Sequence, residues 1–354
     1  MGNIYIALKA FFDEIGVQAV VPPLCSKKTL ELGTRISPDS ICLPLKLNLG
    51  NYIESMEKGA DTFIITGSCG PCRFGYYGVS EKEILEDNGY PVDVVMLDPP
   101  SGAKRLYHSL RKATGGAKLT RVLPALKNAL DIAQRVDALE SRVWYIRPRE
   151  KEKGAADTVY SRFRREAYAA EGMRGMRALI THTCKRLDEI PLNPAARPLK
   201  IGILGEIFTI IEPYTNLDIE RKLGRMGFEV DRSLTASAWV ADKLFYRAFG
   251  RYGSPEVYQA AKPYLDRCIG GHTWECAGNA VLYARNGFDG AIEVLPFGCM
   301  PEIVSKSILP RISADTRLPI MTLVVDEMTG EAGFDTRLQA FADLLQYRRK
   351  GGML

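Results

Sequence analysis

Long apolar runs are missing from this chain of 354 residues. None approaches the roughly 18–20 residues that cross a bilayer, so no membrane-spanning helix is expected. A basic leader is missing too: the opening Met1-Gly2-Asn3-Ile4-Tyr5-Ile6 is followed by Asp13 and Glu14, which argues against an export signal. Ile6 stands where N-myristoylation needs Ser or Thr. There is no G-x-x-x-x-G-K-[ST] loop and no strand-bound G-x-G-x-x-G with an acid downstream, so ATP hydrolysis by this chain is not expected. Basic residues are not interleaved with aromatics, which argues against a nucleic-acid partner.

The composition that is present, 46% apolar and 25% charged, is that of a soluble globular protein. At this length two domains of ordinary size are expected rather than one core. The net charge of +5 is modest, and Arg162, Arg164, Arg165, Arg174 and Arg177 fall in one segment. They form either a solvated helix face or a contact for an anionic partner or cofactor tail. A cytoplasmic location follows from the missing leader, and there thiols stay reduced. Eight cysteines then point to metal binding or catalysis rather than to disulfides.

Most of those cysteines lie in loops flanked by glycine or proline. Cys69 and Cys72 share the run Ser68-Cys69-Gly70-Pro71-Cys72-Arg73-Phe74-Gly75, Cys42 precedes Leu43-Pro44, and Cys299 sits in Pro296-Phe297-Gly298-Cys299-Met300-Pro301-Glu302. A buried structural cysteine needs no such setting, because it packs as a small hydrophobe. At a loop-to-helix junction, backbone N–H groups and the helix dipole stabilise a thiolate or an anionic cluster. Three readings are open for Cys69-Gly70-Pro71-Cys72: iron–sulfur ligation, thiol redox chemistry, and a structural metal or plain loop. Gly75 and Gly78 interrupt the helix that a thioredoxin-type pair requires, and no second C-x-x-C completes a zinc site. Cys276, in the glycine-rich turn from Gly270 to Gly278, is either a further ligand or a buried thiol at a helix start. His272 beside it is a hydrogen-bond donor to a cluster or an ordinary loop histidine. Cys184 and Cys268 have helical neighbours and belong to the core, while Cys25 after Pro22-Pro23 fits either role.

Along the chain, short buried strands are expected at 17–23, 61–66, 92–97, 200–205, 291–295 and 319–325. Leu45, Leu49, Tyr52 and Met56 recur at helical spacing before Gly59, and a helix over 80–88 ends at Gly89. Residues 103–188 read as helical, with Pro124 in a first helical turn. Further helices carry Ile219, Leu223 and Met226, closed by Gly227, and Leu338, Phe341 and Leu345 at the end. The fold class is therefore α/β: two flavodoxin- or Rossmann-like parallel-sheet lobes, 1–102 and 199–354, joined by a helical segment and linker over 103–198. Ligands of open α/β sheets collect beyond the carboxyl ends of strands. Cys69 and Cys72 follow one such end and Cys299 another, so the cysteine loops are expected to converge in a cleft between the lobes.

These blocks resemble the acyl-CoA dehydratase activase-related proteins, often labelled "CoA protein activase", which belong with the iron–sulfur subunits of 2-hydroxyacyl-CoA dehydratase and benzoyl-CoA reductase. The resemblance is carried by Ser26 to Gly33, Cys42-Leu43-Pro44-Leu45-Lys46, Gly70 to Gly75, Gly205-Glu206, Phe297 to Glu302, and Asp326-Glu327 through Leu338. It implies two flavodoxin-like lobes around an oxygen-sensitive cluster, with one low-potential electron delivered by an ATP-dependent activase partner. Dehydratase subunits of this kind use three cysteines for a [4Fe–4S] centre with an open iron, and related double-cubane proteins use more. By block position Cys42, Cys72 and Cys299 would be the three ligands. Cys69 is a possible fourth, and Cys25 and Cys276 leave a double cubane open. The ATPase domain that some relatives carry fused is not expected in this chain, which shows no nucleotide-binding loop.

The resulting expectation is an anaerobe's iron–sulfur enzyme that reduces or dehydrates a small substrate, with a CoA thioester as the candidate. A homodimer or a paired homologous subunit is expected as partner. Arg73 and Lys46 would offset the cluster's negative charge, which raises its potential. Glu206, Glu302 and His272 are the candidates for catalytic proton handling, the glutamates having helix capping as their alternative role. Two other functions compete: a cluster-bearing electron carrier without a substrate pocket, and a thiol–disulfide oxidoreductase using Cys69 and Cys72.

Overall fold

The computed structural model describes residues 2–67, 72–97, 103–242, 254–267 and 269–351, so Cys69 and Cys268 lie outside the described residues. The chain is α/β, with two sheets in which every strand pair is parallel. It begins with helices α1 (Ile4–Ile15), α2 (Lys27–Ile36) and α3 (Leu43–Met56). The first sheet then pairs β1 (Thr62–Thr66) with β2 (Asp93–Leu97), in register from Thr62↔Asp93 to Thr66↔Leu97. Between these strands a short 3₁₀ turn, Arg73–Tyr76, runs into α4 (Tyr77–Asp87). The expected strand at 17–23 is not formed. This stretch is a connection without regular structure, half-buried or exposed along its length. Pro22 and Pro23 have no N–H to donate to a ladder, which removes two consecutive rungs.

Four helices follow: α5 (Ala103–Ala113), α6 (Leu119–Ile146), α7 (Ala155–Ala169) and α8 (Gly172–Asp188). Val122, Ala125, Ala129, Ile132, Ala133 and Val136 keep the helical period along α6, and Phe163 and Met176 pack against that face. Helix α1 belongs to this cluster, because Ile6, Ala7, Ala10 and Phe11 make an apolar stripe buried in it. The helical unit therefore includes the chain's first helix as well as its middle. Pro124 falls at the sixth residue of α6 rather than in its first turn. The helix tolerates it because only the bond to the Thr120 carbonyl is forgone.

The second sheet contains β3 (Lys200–Gly205), which leads through α9 (Ile207–Ile211) and α10 (Ile219–Arg225) to β4 (Glu229–Arg232). After α11 (Ala236–Ala241), α12 (Pro255–Ala261) and α13 (Thr273–Arg285) come β5 (Gly290–Pro296), α14 (Met300–Thr316), β6 (Ile320–Val325) and α15 (Glu331–Arg349). The spatial order is β4-β3-β5-β6, so the direction of winding reverses between β3 and β5. In sheets of this kind the crevice beyond the carboxyl ends at the reversal is where ligands bind. Gly205 closes β3 at that point with φ +138°, and a Cβ there would lie 1.9 Å from the Val294 carbonyl oxygen of β5. Strand β4, which the polar run Glu-Val-Asp-Arg conceals in the sequence, is fastened to the helical unit by Arg232. That guanidinium bonds Glu140 at 2.8 Å and Glu220 at 3.2 Å.

Helix α3 packs into both sheet regions. Leu43 and Leu47 join the core around Ile201 and Ile292, while Leu45, Leu49 and Ile53 join that around Phe63 and Ile65. A helix with apolar residues on two faces must be covered on both, and each such buried apolar side chain contributes about 2 kcal/mol. Helix α2 lies against it with no room for side chains at the crossing. A Cβ on Gly33 would come 1.7 Å from the Lys46 carbonyl oxygen, and one on Gly50 would come 1.9 Å from that of Thr29. Among the described residues no helix is long and apolar enough to cross a membrane.

Candidate metal centre

Three cysteines occupy the same structural position on three different segments. Cys42 is the N-cap of α3, Cys72 the N-cap of the 3₁₀ turn, and Cys299 the N-cap of α14. All three have extended backbone there, with φ of −72°, −67° and −71°, and none uses its side chain to cap its own helix. Pro44 and Pro301 follow within the first turns of α3 and α14, preset for the helical start and lacking an N–H that would go unbonded anyway. Cys42 and Cys299 are buried and Cys72 is half-buried.

The three sulfurs share an electrostatic environment. Burial raises the Cys72 thiol to about 11, against the N–H of Phe74, and the charges of Glu206, Cys42 and Glu302 push it further. Burial likewise raises Cys299, reinforced by Glu302, Glu206 and Cys72. Cys42 is raised by burial as well, opposed by Tyr77, whose hydroxyl lies 2.7 Å from its Sγ, and by the charge of Arg73. Such thiols are stable as neutral groups unless a cation takes the place of the proton.

Arg73 joins the loops. Its Nη1 donates to the Ser40 carbonyl and its Nη2 to the Gly298 carbonyl, each at 2.9 Å. One exposed guanidinium beside Cys72 therefore ties the segment before Cys42 to the residue before Cys299. Gly298, at φ +71°, takes a conformation that leaves its carbonyl for this contact. Lys46, 1% exposed, donates to Glu327 Oε1 at 2.5 Å and to the Asp39 carbonyl at 3.3 Å. It thus links the start of α3 to the loop between β6 and α15.

The two candidate glutamates differ in their surroundings. Glu206 is the N-cap of α9, and its carboxylate accepts from the N–H groups of Phe208 (3.0 Å) and Thr209 (2.9 Å) and from Thr209 Oγ1 (2.9 Å). Those donors oppose the rise that burial causes. Glu302 stands at the third position of α14, where a capping glutamate is common, yet the Cys299 N–H donates to the Pro296 carbonyl instead. Its side chain is fully buried: Oε2 accepts from Cys276 Sγ at 3.2 Å and from Ser305 Oγ at 2.9 Å, and Oε1 has no hydrogen-bond partner among the described residues. Burial and the neighbouring Glu293 raise this carboxyl to about 8, so it holds a proton at neutral pH.

His272 is the N-cap of α13, and its carbonyl accepts from the Cys276 N–H at 2.8 Å. The loop is held against α14, since Thr273 Oγ1 donates to the Pro301 carbonyl at 2.8 Å and a Cβ on Gly271 would lie 2.3 Å from Pro301 Cβ. Cys25 lies apart from the three N-cap cysteines: Asn51 Nδ2 donates to it at 3.3 Å, and burial raises it to about 12. Cys184 packs half-buried against the helical cluster.

One residue of the region escapes sequence inspection. Glu293 sits in the middle of β5, whose seven residues are all buried, and accepts from Ser305 Oγ at 2.5 Å and Thr322 Oγ1 at 2.9 Å. A single carboxylate inside an apolar parallel strand is the signal, since such strands are covered on both faces. Compared with protein-family models and with curated proteins, the chain finds no match.

Proposed function

We propose that this chain is an iron–sulfur protein of the 2-hydroxyacyl-CoA dehydratase type. In this reading two flavodoxin-like lobes flank a cleft, and Cys42, Cys72 and Cys299 hold a [4Fe–4S] cluster there, with Cys69 as a further ligand. The observation that carries it is the Arg73 guanidinium, which bonds the segments before Cys42 and Cys299 while adjoining Cys72. The donor set fits the group: three thiols, each at the start of a helix or 3₁₀ turn and acted on by shared charges, two of them buried and Cys72 half-buried. When bound, such a centre supplies one-electron chemistry at low potential.

The protein's own residues have definite tasks in this reading. Arg73 and Lys46 place positive charge beside the thiolates and fix the loops. Glu302, as long as no cation is bound to its carboxylate, holds a proton three residues from Cys299, where proton release or uptake can accompany a change of charge. Glu206 is committed to capping α9 and does less. An ATP-dependent activase serves as electron donor, and a small molecule, a CoA thioester by preference, as substrate. Exposed Tyr76, Phe297, Met300 and Met328 stand beside the cysteine loops and Glu327, and suit coverage by a partner or second subunit.

That apolar rim also favours a second reading, a cluster-bearing electron carrier that docks to an enzyme. Thiol–disulfide exchange is disfavoured, because burial raises Cys72 to about 11 and a redox cysteine needs a lowered thiol. The test is anaerobic isolation of the wild type beside Cys42→Ala, Cys72→Ala and Cys299→Ala. A brown wild type with about four irons and four sulfides per chain, falling severalfold in each variant, is expected. A colourless wild type with a titratable dithiol would overturn the reading. Reoxidation of the reduced protein by an acyl-CoA substrate separates enzyme from carrier.

A further inference from the structure

We propose that Cys276, Glu293 and Glu302 form a second metal site, for one divalent cation of the zinc type, distinct from the three N-cap cysteines. One ligand atom from each residue lies within 4.8 Å of the other two. Cys276 Sγ and Glu302 Oε2 are 3.2 Å apart. Around a single tetrahedral zinc, a thiolate and a carboxylate oxygen stand about 3.5 Å apart, so small side-chain adjustments suffice.

Charge and hydrogen bonding both point to a ligand. All three residues have 0% exposure, and no lysine or arginine among the described residues donates to either carboxylate. Buried charges without a partner are costly, so the group needs protons or a cation. Ser305 Oγ has one hydrogen but stands at 2.5 Å from Glu293 Oε1 and 2.9 Å from both Glu302 Oε2 and the Glu302 carbonyl oxygen. With both carboxylates ionised, as metal binding requires, it can donate to only one of them. Independently, Glu302 Oε1 is fully buried and has no hydrogen-bond partner among the described residues. A cation between the carboxylates uses that oxygen and relieves the crowding of acceptors on one hydroxyl.

The site is also built on regular structure. Glu293 comes from the central strand β5, Glu302 from the first turn of α14 and Cys276 from the start of α13. Side chains on strands and helices hold ligand geometry better than those on loops. The thiolate selects zinc-like cations over magnesium or calcium, which prefer all-oxygen sets. Complete burial implies loading as the chain folds and slow release afterwards.

The full chain carrying Cys72→Ser and Cys299→Ser, which removes two of the proposed cluster ligands, provides the test background. Produced with Co²⁺ in the medium, it is expected to retain close to one cobalt per chain, with a thiolate-to-cobalt absorption band in the near ultraviolet. Adding Cys276→Ser should abolish that band, and adding Glu293→Gln should lower cobalt content tenfold or more. Absence of bound cobalt, or a band unchanged by Cys276→Ser, would overturn the site. Where Glu293→Gln does not fold, Glu302→Gln is read in its place. The iron content of the cluster is already lowered in this background, so the site and the cluster reading fail separately.

Discussion

At the scale of single residues, Arg73 is the side chain that joins the cysteine loops, through Ser40 and Gly298. A planar guanidinium presents donors in two directions, so it can bond two carbonyls on separate segments, which a lysine ammonium does less well. Arg73→Ala is expected to lower iron loading and to shift the midpoint potential downward by tens of millivolts, about 59 mV being a tenfold change for a one-electron couple. Arg73→Lys should fall between the two. A redox titration followed by EPR checks this, and unchanged iron content and potential in Arg73→Ala would contradict it. The cysteines were legible in the sequence because glycine and proline mark their loops. The division between Glu206 and Glu302 was not. Both follow a strand-to-helix connection, and only the fold shows that three donors fill one carboxylate while the other faces a thiol, a serine hydroxyl and a second acid.

At the scale of elements, α3 decides where Cys42 and Lys46 stand. It is held by apolar contacts on two sides and by the crossing with α2, where Gly33 and Gly50 meet opposing backbone. Gly50→Ala would put a methyl group 1.9 Å from the Thr29 carbonyl oxygen, which cannot give way without moving α2. A loss of about 3 kcal/mol or more is expected from such overpacking, read by denaturant unfolding, with metal content falling alongside. Stability within a few tenths of a kcal/mol of wild type would show that the crossing is looser than described. The strands at 61–66, 200–205, 291–295 and 319–325 were readable as short apolar runs. The run at 17–23 misleads because hydrophobicity says nothing of the hydrogen bonds that two prolines cannot make. Helix α1 is legible in the spacing of Ile6, Ala7, Ala10 and Phe11, the stripe that it buries against the helical cluster.

At the scale of the molecule, Cys72 follows a strand of the first sheet, Cys299 follows a strand of the second, and Cys42 opens the helix packed in both cores. The loop after β5 leaves the sheet where its winding reverses, the position at which a parallel sheet opens for a ligand. The alternation of strand-like and helix-like segments could indicate the α/β class, but not that the first sheet would have two strands among the described residues and the second four. Those numbers depend on which segments find a neighbour. The measurement closest to the central claim is anomalous diffraction at the iron edge from crystals grown without oxygen. Iron ringed by the sulfurs of Cys42, Cys72 and Cys299 is the predicted result, and iron bound away from any of these three would contradict it.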